Sequence, residues 1–136
     1  TLAHSSSPAR VGRLTRNQHV LFRLGELIAF AETAAAFSRR AARAAAGTLS
    51  EKADHGFDAE GLATLARVFA REAAERVATE GQRLVLGAGG AQAAQLPELS
   101  AALCLPQIQA AQTGLIADMD AAVAAIYHRA ELASHL

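Results

Sequence analysis

Tryptophan is missing from this chain, aromatic residues make up only 4% of it, and one cysteine and three prolines are spread over 136 positions. Each shortage excludes something. A lone cysteine, Cys104, rules out an internal disulfide and fits a reducing compartment. With so few rings, packing falls to Ala and Leu, because hydrophobic residues still account for 51% of the chain. Small side chains favour close helix contacts around a modest core. No apolar run approaches the roughly 20 residues of a spanning helix. The opening "TLAHSSSPAR" lacks the continuous apolar stretch of a secretory signal. It reads as a cut or processed start, and the expected setting is cytoplasmic.

Charge sums to zero, yet residues 1–50 hold seven arginines against Glu26 and Glu32, a local balance of +5. The rest of the chain is acidic by the same amount. Nucleic acid is disfavoured, since the arginines lack interleaved aromatics and no recognition motif accompanies them. At this length one domain is expected, with residues 1–15 a lead-in and residues 16–136 a single helical domain.

Periodicity divides that domain. A first helix starts near Thr15 to Asn17, with Leu21, Leu24, Ile28, Ala31 and Ala35 at alternating three- and four-residue steps. Val20, Leu27, Phe30, Ala34 and Phe37 widen the stripe, which predicts burial over more than half the circumference. Arg39, Arg40 and Arg43 fall in its last turns, where cations complement the helix dipole, and Gly47 supplies a stop. These three arginines are also the candidate contact to an acidic partner or an anionic membrane surface.

Residues 48–58 form a polar loop ending in Asp58, a natural cap for a second helix running to about Leu86. Its predicted core positions are Leu62, Leu65, Phe69, Ala73, Val77 and Leu84, and Arg71 with Glu75, Glu72 with Arg76 and Arg76 with Glu80 stand four apart. "GAGGAQAAQLP", residues 87–97, breaks the pattern. A third helical region then runs to about Ala130, interrupted near Pro106, with Ile108, Leu115, Met119, Val123 and Ile126 along one face. Strand-like alternation is absent. The predicted fold is all-α, an antiparallel bundle of three long helices whose apolar strip is too wide for two neighbours to cover.

Chemistry is hard to find. A di-metal carboxylate bundle needs Glu-x-x-His pairs, and none occurs. Glu51 and His55 lie in a polar loop, and His19 and His128 are isolated on helices, so no metal ligand set is assigned. Glu32 on the apolar first helix invites comparison with a buried general base, but no nucleophile or oxyanion donor accompanies it. The glycines of "LGAGG" follow a helix where a dinucleotide fingerprint would follow a strand, so they terminate that helix. Cys104 sits between leucines and reads as a buried, inert thiol. No catalytic, cofactor or metal residue is assigned.

"NQHVLFRLGELIAFAETAAAFSRRA", residues 17–41, resembles the first helix of the C-terminal extension of acyl-CoA dehydrogenases, particularly the very-long-chain type. The resemblance is carried by Asn17-Gln18, Val20-Leu21, Arg23-Leu24, Ser38-Arg39 and Ala41. "ARVFAREAAERVATEG", residues 66–81, is similar to the second extension helix through Glu72, Ala73, Ala74 and Arg76. The likeness covers residues 17 to about 86. It implies a parent flavoenzyme that uses FAD to oxidise an acyl-CoA thioester and passes electrons to a flavoprotein acceptor. It further implies that this extension carries neither the flavin nor the catalytic glutamate, packs on the upstream catalytic domains, and supports a homo-oligomer or membrane association. Two other readings stand beside it: a stand-alone helical interaction or dimerisation module, and a small-ligand pocket lined by Phe30, Phe69 and Tyr127.

Overall fold

A computed structural model describes residues 17–135, and among these the fold is all-helical, with five helices and no strand. Helix α1 spans Gln18–Ala45 and α2 spans Ala59–Gly87. A 3-10 turn, Ala93–Gln95, leads into two short helices, α3 (Leu96–Ala102) and α4 (Leu105–Ala110). Helix α5 spans Leu115–Ser134.

Local chemistry sets these boundaries. Asp58 caps α2 as its spacing predicts, its carboxylate accepting from the Gly61 amide at 2.7 Å. Asn17 occupies the cap position of α1 without a side-chain bond. Both long helices end in the same way: Gly47 and Gly89 take φ of +68° and +71°. Thr48 donates back to the Arg43 carbonyl and Gly90 to that of Val85, the paired closing bonds that favour glycine at this position.

The third region departs from expectation because it is three helices instead of one interrupted rod. The break falls before Pro106, at Cys104, whose φ of 54° is left-handed. Pro97 and Pro106 both sit in first turns, where a missing N–H costs nothing. A second break precedes α5 at Gly114, φ +82°. Cys104 is exposed, which overturns its reading as a buried thiol: in the two-residue link between α3 and α4 it turns outward, and Leu105 takes the buried position.

Helix α2 is the hub, packing on α1, on α5 and on α4. Phe30 and Phe37 of α1 meet Phe69 of α2 at ring separations of 6.2 and 6.4 Å, and Ala41 packs with Leu62 and Ala66. Arg76 bonds Glu26 and lies 4.2 Å over the Phe30 ring. Residue numbers rise along α1 as their partners fall along α2. Arg76 is thus spent between helices, as is Arg71, so the expected pairs of Arg71 with Glu75, Glu72 with Arg76 and Arg76 with Glu80 are not ion pairs; Arg83 with Glu80 is the pair along α2.

The buried apolar residues are Leu27, Ala41, Leu62, Ala66, Ala73, Ala78, Leu105 and Ala122. Five of the eight are alanine, so the helices approach closely while burying little area per residue. The core is thin.

Candidate docking faces

On α1 the residues turned toward α2 are Leu27, Phe30, Ala34, Phe37, Ala41 and Ala44, alternating in three- and four-residue steps. Of the apolar positions expected at the core, Leu27, Phe30, Ala34 and Phe37 do face α2, whereas Leu21, Leu24, Ile28 and Ala31 lie about 100° further around the helix. Leu21 is 43% exposed, Leu24 39% and Ile28 63%, and Phe22 stands out at 76%. The expectation that α1 is buried over more than half its circumference is therefore wrong. Two apolar stripes adjoin on this helix, and α2 covers one of them.

Helix α5 repeats the arrangement. Leu115, Asp118, Ala122, Ala125 and Arg129 are its buried and half-buried positions. One residue on, Ile116, Met119, Val123 and Ile126 face outward with Tyr127 beside them, so the expected core face from Met119 to Ile126 is solvent-facing while Ile108 and Leu115 are half-buried. The larger apolar side chains of α5 lie outside and the smaller ones inside. That inverts the usual distribution for a helix with one covered side.

Polar clasps do part of the holding that a larger core would do. Asp118 accepts from Arg67 at 2.8 Å and from Arg71 at 2.5 Å, and Arg71 also donates to the Thr113 carbonyl at 3.2 Å. Arg67 and Arg71 together hold the Asp118 carboxyl at about 2, well below the usual carboxylate range. At the other end of α5, Arg129 bonds Asp54 at 2.8 Å and lies 4.7 Å over the Phe57 ring. The Gly56 amide, then Arg129, lower the Asp54 pKa.

Of the three arginines singled out for partner contact, Arg40 donates to the Asp54 carbonyl at 2.6 Å and so ties α1 to the following loop. Arg39 and Arg43 are exposed at the same end of α1. Between α1 and α2 runs an open groove walled by Ala31, Ser38 and Ala42 on one side and Ala70, Ala74 and Val77 on the other, with Ile108 of α4 at one end. Alanine at most of these positions makes it shallow. The absence of side-chain bulk in "AETAAAFSRRAARAAAG" signals such a groove, but the spacing alone does not say which side of α1 it opens on.

The residues weighed for chemistry do not converge. Glu32, His19, His128 and Glu51 are exposed, and His55 shares a hydrogen bond with the Ser50 carbonyl at 3.1 Å. Among the described residues no three His, Cys, Asp or Glu side chains gather as a metal site would require. Glu75 keeps one buried carboxylate oxygen without a partner while its other oxygen accepts from Thr79. Phe30 and Phe69 stack in the α1–α2 seam and Tyr127 stands exposed on α5, so these aromatics do not line a common pocket. Glycines 87, 89 and 90 belong to the closing turn of α2. No described helix is long and apolar enough to cross a membrane. No family model, no curated protein and no solved structure matches the chain.

Proposed function

We propose that this chain is a noncatalytic helical packing module whose outward apolar stripes are covered by other protein surface. The observation that carries the reading is the inversion on α5, together with the second stripe on α1: Ile28, Ile116, Val123, Ile126 and Tyr127 are each at least half exposed. Large contiguous apolar surface of this kind marks an interaction site. In this reading α1, α2 and α5 act as the three rods of an antiparallel bundle, open enough to present both stripes.

The parent we propose is a FAD-dependent acyl-CoA dehydrogenase of the very-long-chain type, with this chain as its C-terminal extension packed on the catalytic domains. What supports it is the resemblance in residues 17–41 and 66–81, which fall on two consecutive helices. Ala41 and Ala73 are buried, so two of the resembling positions belong to the core. FAD and acyl-CoA would be held upstream; no contact with either is assigned to this chain. The cytoplasmic setting belongs to the same proposal, as does contact of Arg39, Arg40 and Arg43 with acidic lipid or an acidic surface.

The denatured mass of the native polypeptide, with a flavin absorbance spectrum of the same sample, tests the parentage. A mass several-fold above 14.1 kDa with bound flavin is expected. A small colourless protein would overturn it and leave a stand-alone interaction module, which the exposed stripes of α1 and α5 equally favour.

A further inference from the structure

Helix α5 is held unevenly along its length. From Leu115 to Ala125 its inner side is docked: Ala122 is buried, Leu115, Asp118 and Ala125 are half-buried, and Arg67 and Arg71 grip Asp118. From Ile126 to Ser134 every residue is exposed except Arg129, which is half-buried. The register explains the change. Helix α5 runs antiparallel to α2, with Asp118 level with Arg67 and Ala125 level with Gly61, so Arg129 already stands over Phe57, outside the first residue of α2, Ala59. The last turns of α5 therefore overhang the loop of residues 48–58 and have no helix beneath them. His55, Gly56, Phe57, His128 and Leu132 wall an open cavity of about 290 Å³ there, space that close-packed side chains would fill.

Arg129 bridges this gap, and a loop residue, Asp54, holds it. The Asp54 Oδ2 accepts from Arg129 at 2.8 Å, its Oδ1 from the Gly56 amide at 2.8 Å, and its carbonyl from Arg40 of α1 at 2.6 Å. Asp54 thus joins the C-terminal parts of α1 and α5, two helices that make at most slight direct contact. Gly56 leaves room for the bond, since a Cβ there would come within 2.6 Å of the Arg129 side chain. The two grips on α5 also differ in the water they meet. The Arg129 and Asp54 side chains are 43% and 57% exposed, against 19% and 18% for Arg71 and Asp118, so salt screens the pair on the loop far more than the pair on α2.

We propose that residues 126–134 form an arm hinged at Ala125, with the Asp54–Arg129 bond as its buckle: when that bond opens, the arm leaves the loop while residues 115–125 stay docked on α2. Opening uncovers the Phe57 ring beneath Arg129 and frees the α5 side of the cleft between α1 and α5, which Phe37, Phe57 and Leu62 line. It also moves Ile126 and Tyr127 relative to Ile116 and Met119, so the outward stripe of α5 is whole only while the arm is buckled. The hinge goes beyond the packing role proposed above and stands without it, because it lies on the inner side of α5.

Amide exchange tests it with Asp54→Asn, because asparagine keeps the oxygen that accepts from Gly56 and the carbonyl that accepts from Arg40, and loses the charge that Arg129 binds. At low salt, residues 126–134 of the variant are expected to exchange roughly two- to fivefold faster than in the wild type, the range an exposed ion pair supports, with residues 115–125 unchanged. In about 1 M salt, where screening acts within roughly 3 Å, the wild type is expected to match the variant, and the variant to change little. Arg129→Gln is expected to give the same pattern from the other side of the bond. Equal rates over 126–134 in Asp54→Asn and wild type at low salt would overturn the buckle. Faster exchange spread evenly over 115–134 would overturn the hinge, and salt acceleration as large in the variant as in the wild type would overturn the assignment of control to Asp54.

Discussion

Leu27 and Ile28 are neighbours in sequence with similar side-chain volumes, yet the first is 8% exposed and the second 63%. Leu27→Ala is expected to destabilise the chain by roughly 2 to 5 kcal/mol, and Ile28→Ala by no more than about 0.5 kcal/mol in the isolated chain. Thermal melts of the two variants check the assignment of the α1 seam; equal losses would move it. Asp118 supplies a second residue-scale prediction. Its folded pKa of about 2 lies below the ordinary carboxylate value, so its contribution is complete above the unfolded pKa and lost as pH falls from about 4 toward 2. The melting-temperature gap between wild type and Asp118→Asn should be widest near neutrality and close over that acid window. A gap unchanged down to pH 2 would show that the carboxylate charge contributes nothing to the clasp.

Elements here are held by close approach and by clasps more than by bulk. At Gly61 a Cβ would come within 2.9 Å of the Asp58 carboxylate that caps α2 and 3.4 Å of the Ala125 methyl on α5. Gly61→Leu is therefore expected to loosen α5, seen as faster amide exchange across residues 115–134 than in the wild type. Gly25, by contrast, has nothing within 4 Å of a Cβ and sits mid-helix, so Gly25→Ala should stabilise by up to about 1 kcal/mol in a denaturant melt. Much of this element scale is legible in the sequence. Asp58 at its cap, Gly47 at its stop, the polar loop between them and the core positions Leu62 and Ala73 of α2 follow from local chemistry and period. The seam of α1 does not follow, because two apolar stripes one residue apart satisfy the same helical period and only the meeting of Phe30 and Phe37 with Phe69 selects one. For α5 the error has the opposite sense: Met119, Val123 and Ile126 look like core because they are large, and the structure buries Ala122 instead. The left-handed turn at Cys104 was equally hidden, since Pro106 marks a break without saying on which side it falls.

At the scale of the whole molecule, α1 and α5 both pack on α2 and each leaves an outward apolar stripe, the kind of surface that marks an interaction site. The proposed packing role rests on that surface. Hydroxyl-radical oxidation of Phe22, Met119 and Tyr127 tests it most directly, comparing the protein in its native assembly with the isolated 136-residue chain at low concentration. A packing role predicts strong labelling of these side chains in the isolated chain and protection in the native assembly. Equal labelling in both would mean that the outward stripes of α1 and α5 stay bare, which would contradict a packing role.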